Sequence, residues 1–390
     1  MLTIAEKQFI QDNLDHDISK LLLNPPAPFK GNIRFLINQI LSRRKAKDKL
    51  PTWYANPNLI FPSPLSVEQS SSEKLAVYKA QLISGKLLFD LTGGMGVDFL
   101  EMSKSFDEAI YVESNGHLCD FMERNAAWLG RKVKVVNEKA ETFLIAGETP
   151  HKPVIYIDPD RRSNARKMVQ FSDCSPDVSR LIKTLKYDAT HLLVKASPLL
   201  DIKAGIKELE SVSEVHVLSV KNECKEVLFL IDFSKETSEP IIKAVNFASD
   251  GEDRFEFTYS EEEQTEVAIS NASDYLLIPN ASILKAGAFK LIGARLGLSK
   301  IAPNTHIYTS DAPIAEFPGR QFKVVSTKVT PEIIKEYLRE GMVNVITRNY
   351  PAKPMDVLKK FKLKEGGELF LIGFRDADNH AWLMLAKPIS

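Results

Sequence analysis

Asp90-Leu91-Thr92-Gly93-Gly94-Met95-Gly96-Val97-Asp98 follows directly on the apolar run Leu87-Leu88-Phe89. A strand that ends in an acid, opens into a glycine loop and continues as a helix is how an open α/β sheet builds a ligand crevice. The glycines remove the Cβ atoms that would hold a ligand off the backbone, and the helix behind them points free amides at it. A glycine-rich turn that only packs strand on helix is the plain alternative. For a dinucleotide, the third glycine of the usual spacing would fall at Phe99, and a carboxylate ahead of the glycines does nothing for a pyrophosphate. An acid at Asp90 suits a cationic ligand instead.

Downstream, short apolar runs recur at Ala109-Ile110-Tyr111-Val112, Val133-Lys134-Val135-Val136, Val154-Ile155-Tyr156-Ile157 and His191-Leu192-Leu193-Val194. Helical periodicity separates them, which predicts buried parallel strands in βαβ units. Val215-His216-Val217-Leu218 and Val227-Leu228-Phe229-Leu230-Ile231 are so close that only an antiparallel hairpin can join them. The predicted core is therefore a mostly parallel sheet ending in an antiparallel pair. Beyond it, residues 236–266 are acid-rich, with Glu261-Glu262-Glu263, and read as a boundary or an exposed hairpin. A helix is expected over 282–296, ended by Gly297, and the order from Phe322 to Leu385 reads β-α-β-α-β-β, a small α+β sheet domain.

Upstream, apolar residues at helical spacing from Ile4 to Leu41 predict a small helical region. It runs into Arg43-Arg44-Lys45-Ala46-Lys47-Asp48-Lys49, the densest basic cluster, read as a solvated helix end in preference to a phosphate patch. Ser70 and Glu73 have the spacing of a capping box, so a helix is expected over 71–83. These textures divide the chain into 1–66, 67–235, 236–320 and 321–390.

At 390 residues, with 44% hydrophobic and 26% charged, the chain has the balance of an ordinary globular protein, which excludes wholesale disorder and a fibrous repeat. Lys plus Arg equals Asp plus Glu at 51 each. No global field attracts a polyanion, so any nucleic-acid surface must be local. Cys119, Cys174 and Cys224 match no metal spacing and read as small core residues, in keeping with a reducing compartment. Neither a signal peptide nor a membrane span is expected, which points to the cytoplasm.

The chemistry gathers at the predicted strand ends. Asp90 can face the amino and sulfonium groups of a ligand such as S-adenosylmethionine, and Glu113 can accept both ribose hydroxyls of an adenosine. After the third strand, Glu138 is the candidate beside the adenine. After the fourth comes Asp158-Pro159-Asp160-Arg161-Arg162, two carboxylates and two arginines at the crevice. Here Asp158 orients a nucleophile, the Pro159 carbonyl accepts a hydrogen bond, Asp160 accepts substrate protons, and Arg161 or Arg162 meets phosphate. Buried ion pairing among these charges is the plain alternative. Lys195 and Ser197, ending the next strand, border the same crevice. No His/Cys cluster calls for a metal.

These residues resemble the class I S-adenosylmethionine-dependent methyltransferases over roughly Glu68 to Ile231. Asp90 to Asp98 resembles the Asp-x-x-x-Gly-x-Gly loop, Glu113 the ribose-binding acid, and Asp158-Pro159 the start of the Asp/Asn-Pro-Pro-aromatic motif of base-amino methyltransferases. The stretch Ser70-Ser71-Ser72-Glu73-Lys74-Leu75-Ala76 is similar to the helix entry of trimethylguanosine synthase and related RNA methyltransferases. Over nearly its whole length, including Pro279-Asn280-Ala281-Ser282-Ile283-Leu284-Lys285, the chain is similar to a bacterial methyltransferase family with a C-terminal THUMP-like domain. The resemblance implies a Rossmann-like α/β core with an N-terminal helical region and C-terminal α+β, ferredoxin-like and THUMP-like, domains. It implies S-adenosylmethionine as cofactor, held by Ser71, Asp90, Thr92, Gly93, Gly94, Gly96, Asp98, Glu113, Ser114 and Glu138.

Two departures bear on the substrate. Asp160 stands where the motif has proline, and Arg161 replaces the aromatic residue that stacks on a flipped base. A carboxylate suits guanine, whose N1-H and N2-H lie side by side, so a base nitrogen of RNA, guanine favoured, is the expected acceptor. THUMP domains present RNA, tRNA or rRNA, to an attached catalytic domain. Within the lysines from Lys353 to Lys364, Lys359 and Lys360 are the candidate phosphate contacts. A protein or small-molecule acceptor stays open, as does a non-catalytic RNA-binding or assembly factor.

Overall fold

The computed structural model describes residues 2–145, 150–161, 170–249 and 251–389. The chain divides into two units, Met1–Ser213 with Leu228–Ser238, and Glu214–Val227 with Glu239–Ser390.

In the first unit the apolar runs form strands as expected. They are β1 (Gly85–Asp90), β2 (Phe106–Val112), β3 (Lys134–Val136) and β4 (Val154–Ile157), followed by two short strands, β5 (Asp160–Arg161) and β6 (Cys174–Ser175). β7 (His191–Ala196) completes a parallel set in the order β7-β4-β1-β2-β3. Because β2 lies on one side of β1 and β4 on the other, the strand order reverses at β1, and a crevice opens at its carboxyl end. Register places Asp90 opposite both Tyr111 and Tyr156, so these three residues form a row across the sheet. Leu88, Ile157, Leu192 and Val194 are fully buried, as continuous apolar strands require.

The hairpin of β8 (Val212–Val220) and β9 (Glu223–Asp232) turns at Lys221 and Asn222, both in the left-handed region at φ 50° and 62°. That pair of positive φ values is the two-residue turn whose twist matches flanking strands. In the second unit β10 (Ile241–Phe247) runs parallel to β8 and pairs antiparallel with β11 (Glu252–Phe257). The acid-rich stretch thus holds a hairpin, but β10 is largely buried rather than exposed.

A seven-stranded sheet follows in the order β13-β14-β12-β15-β18-β17-β16. Its strands are β12 (Tyr275–Pro279), β13 (Ser299–Ala302), β14 (Thr305–Ser310), β15 (Gly319–Ser326), β16 (Asn344–Arg348), β17 (Phe370–Arg375) and β18 (Ala381–Ile389), with helices Pro331–Tyr337 and Pro354–Phe361 between the later ones. This is the expected β-α-β-α-β-β order. The helix expected over 282–296 is instead two, Ala281–Ala286 and Leu291–Arg295, because Gly287 adopts φ 91° and ends the first with a left-handed cap.

Two N-terminal expectations are corrected. The helix starts at Glu73, capped by Ser72 rather than Ser70, and the Glu73 carboxylate accepts the amides of Thr52 and Trp53 at 3.2 and 3.1 Å. The basic cluster is a solvated helix end only in part, since Lys45 and Lys47 are exposed but the other three cations turn inward. Arg43, in the helix Ile33–Lys49, is buried and donates to the carbonyls of Tyr54, Asn56 and Leu59 at 3.1, 3.1 and 2.7 Å. Arg44 holds the carbonyls of Asn13, Leu14 and His16, and Lys49 those of Val67 and Glu68. Cationic side chains satisfy backbone carbonyls that loops cannot pair among themselves. Cys119 and Cys174 are buried, Cys224 is half-buried, and all three are free thiols. Among the described residues no helix is long and apolar enough to cross a membrane.

Candidate active site

The glycine loop is shaped by its neighbours before any ligand is considered. A Cβ at Gly93 would lie 2.2 Å from the Tyr111 ring, and one at Gly96, already at φ 79°, would lie 1.8 Å from the Met122 methyl. The Tyr111 ring requires glycine at position 93, and the left-handed backbone requires it at position 96, where the flexible Met122 methyl could otherwise give way. The Tyr111 hydroxyl donates to the Gly94 carbonyl at 2.6 Å, and the Gly93 amide donates to the Val112 carbonyl at 3.0 Å. The loop is therefore fastened to β2.

Glu113, just past β2, accepts from the Gly94 amide at 2.9 Å with one oxygen and from the Asn115 amide at 2.8 Å with the other. Ser114 donates to the same carboxylate at 3.3 Å, and the exposed Glu138 lies along the cleft. Asp90 is 1% exposed and accepts the Thr92 amide at 3.0 Å. Burial drives its carboxyl well above the usual range. The Thr92 amide opposes this, while the carboxylates of Asp98, Asp158 and Glu113 push the same way as burial.

Below the loop lies a buried network. Asp98 accepts from Ser71 Oγ at 2.7 Å and from the Tyr156 hydroxyl at 2.8 Å, and faces the fully buried Lys79 ammonium at 3.2 Å. Burial alone would raise the Asp98 carboxyl, but Lys79, Lys195 and the two hydrogen bonds hold it below its ordinary value. Ser71 and Asp98 thus meet, although they are 27 residues apart.

Thr92 Oγ1 accepts the Asp158 amide at 2.7 Å, and the Asp158 carboxylate is ion-paired with Lys195. Pro159 is buried, and Asp160 pairs with Ser175 across β5 and β6. Asp160 keeps an exposed edge, but protein crowding around its carboxyl partly desolvates it, and this, then Asp158 and Glu113, raises it. Arg161 pairs with Cys174 through the backbone, and Arg162 lies outside the described residues. Ser197 uses its hydroxyl to accept the Leu199 amide at 3.2 Å. Lys359 and Lys360 are exposed on the helix Pro354–Phe361 of the second unit.

These strand ends enclose a cleft of about 750 Å³, within the range of small-molecule sites. Asp90, Asp98, Glu113, Glu138, Asp158 and Asp160 all line it. An acidic cleft with a glycine floor fits a cationic ligand and repels a pyrophosphate. Sequence reading missed Lys79, Tyr111 and Tyr156. Lys79 had a signal, since it occupies the apolar stripe of its helix with Leu75 and Ala76. The tyrosines had only their place in runs that end beside the acids.

Residues 275–318 match a ferredoxin-like domain family and residues 319–388 a THUMP-like domain family. An uncharacterised S-adenosylmethionine-dependent methyltransferase of Mycobacterium tuberculosis is 21% identical over 288 residues, covering 73% of this chain and 76% of the relative. A crystal structure from Porphyromonas gingivalis W83, described as a methyltransferase, is 30% identical, with all of both chains covered and a TM-score of 0.86. The chain belongs to the class I S-adenosylmethionine-dependent methyltransferases with a THUMP-like domain. In this methyltransferase the acidic cleft and its glycine loop fit a cofactor that carries an amino group and a sulfonium, as the donor chemistry requires.

Proposed function

We propose that this methyltransferase acts on a base nitrogen of RNA, with guanine favoured, at the mouth of the acidic cleft. The observation that carries the reading is the pair Asp158 and Asp160, which both line the cleft just past β4, with Asp158 fixed by Thr92 and Lys195 and Asp160 exposed. The THUMP-like match at residues 319–388 supports RNA as the acceptor class.

Glu113 would hold the ribose hydroxyls, Asp90 with the loop Thr92, Gly93, Gly94 and Gly96 the amino-acid end, and Glu138 with Ser114 the adenosine side. Asp98 and Ser71 would support the loop from beneath. Bound there, S-adenosylmethionine supplies an electrophilic methyl group with a neutral leaving group, so positioning does most of the work. Asp160 accepts the guanine N1-H and N2-H and takes the proton that the methylated nitrogen loses. Lys195 is a positioning residue acting through Asp158, and the Pro159 carbonyl offers a further acceptor. Arg161, Arg162, Ser197, Lys359 and Lys360 are left for substrate contact.

The test is incubation of the purified chain with methyl-labelled S-adenosylmethionine and total cellular RNA, with protein and small-molecule fractions alongside. Label in RNase-sensitive material, recovered as methylguanosine and lost in Asp160→Asn with cofactor affinity intact, is the expected result. Label confined to protein or small molecules sinks the RNA reading.

A further inference from the structure

Strands β5 and β6 form a sheet of their own beside the cleft, each only 2 residues long. A pair that short is not stable by itself, so its shape is set by what grips it. The grip comes from the helix Ile202–Leu209. Glu208 accepts the amides of Phe171 and Ser172 at 2.8 and 2.7 Å, one with each carboxylate oxygen. Those amides open the single helical turn Phe171–Asp173, where Gln170 supplies no side-chain cap. The first amides of a helical turn have no partner inside it, and Glu208 provides one from outside. Phe171 is fully buried and meets the Phe229 ring edge-on at 5.3 Å, and a Cβ at Gly205 would lie 2.8 Å from that same Phe229 ring. Gly205 and Glu208 are three residues apart on one face of the helix, so that face holds the turn by a ring contact and by a carboxylate. β6 begins at the next residue, the fully buried Cys174.

Register places Asp160 directly opposite Ser175 and Arg161 opposite Cys174. Residues directly opposite in an antiparallel pair project from the same face, with Cβ atoms about 5 Å apart. Asp160 and Ser175 are both exposed, and both line the cleft. Successive side chains of a strand alternate, which is why Cys174 turns inward while Ser175 faces the ligand space. A carboxylate only accepts hydrogen bonds, whereas a hydroxyl can also donate. Side by side, the two match a base edge that carries donors next to an acceptor. Guanine has such an edge, with N1-H and N2-H beside the O6 acceptor.

We propose that Ser175 is a second reader of the acceptor base, its hydroxyl donating to guanine O6 while Asp160 accepts N1-H and N2-H. This rests on the guanine reading above and adds to it the residue that recognises the remaining polar group of that edge. The grip of Glu208 keeps the two groups in register before the base arrives, so little ordering is left to the binding step.

The test titrates the full chain, saturated with S-adenosylhomocysteine, with guanosine monophosphate by calorimetry. Ser175→Ala should weaken binding about tenfold, the contribution of one well-placed hydrogen bond, and Ser175→Thr, which keeps the hydroxyl, should recover most of it. The second probe is 6-thioguanosine monophosphate, whose sulfur is a weak acceptor. It should bind the wild type about tenfold less tightly than guanosine monophosphate and be indifferent to Ser175→Ala. Affinity for S-adenosylhomocysteine should be the same in all three proteins. No binding of guanosine monophosphate, or equal binding by wild type and Ser175→Ala, overturns the role of Ser175. Equal losses for both nucleotides in Ser175→Ala overturn the O6 contact. Guanine binding that depends on Ser175 while labelled methyl groups never reach RNA upholds the pair and overturns the RNA reading. Methylguanosine formed in RNA at the same rate by wild type and Ser175→Ala overturns this inference and leaves the proposed function standing.

Discussion

The Thr92 hydroxyl oxygen accepts the Asp158 amide at 2.7 Å, so the glycine loop and the segment after β4 are joined by one side chain. Thr92→Val keeps the shape and removes the acceptor, leaving a backbone amide short of its partner at a cost of about 1–3 kcal/mol. Methyl transfer should fall at least tenfold while Thr92→Ser recovers most of it. Thermal unfolding and turnover measured on both variants check this. Equal activity in the valine and serine variants would show that the joint carries no positioning role.

Lys79 and Asp98 form a buried ion pair beneath the cleft. Lys79→Met strands a buried carboxylate and should destabilise the chain by about 3–5 kcal/mol, whereas Lys79→Met combined with Asp98→Asn should restore much of that loss. Asp98 has its folded-state pKa depressed, so its stabilising contribution is present above the unfolded value near 3.9 and is lost as pH falls through the folded one. Denaturant titrations below about pH 4 should therefore show a weaker pH dependence in the double variant than in wild type.

Asp90 has the opposite sign. Its folded-state carboxyl is raised, so its contribution is fully present below about 3.9 and is lost as pH rises through the folded pKa. A bound cation favours the carboxylate, so cofactor binding should release a proton and tighten as pH rises through that same range. Calorimetry in buffers of different ionisation enthalpy measures the release directly, and Asp90→Asn should abolish it. Binding enthalpies that do not vary with buffer would rule the linkage out.

Arg43 donates to three backbone carbonyls and burial lowers its guanidinium to about 10. Arg43→Gln cannot reach all three and should cost about 2 kcal/mol or more in denaturant stability. Because the side chain is spent inside the protein, RNA affinity should stay within twofold of wild type at matched salt.

The parallel strands were legible because each is a short apolar run between helical stretches, and Asp90, Glu113 and Asp158 because each ends or follows such a run. The errors came from partners that lie far away along the chain. Three serines in a row offer three caps with the same local chemistry, and only the approach of Thr52 and Trp53 decides that Glu73 serves their amides. Charge at Arg43 reads as solvent exposure because nothing nearby in sequence announces the carbonyls of Tyr54, Asn56 and Leu59. Gly287 was one of two glycines inside a helical pattern, which periodicity tolerates, and its positive φ turns it into a terminus. Lys79 breaks the expectation that a lysine faces water, and Asp98 is the reason it does not.

The fit of Gly93 against the Tyr111 ring has a consequence for descent. The two positions are 18 apart in sequence, and neither can drift alone, since any side chain at the first collides with the ring of the second. A lineage that replaces the tyrosine with a smaller residue opens room for alanine at the glycine, whereas the reverse order of substitution passes through a misshapen loop. Ancestral histories of this loop should therefore record change at the ring before change at the glycine.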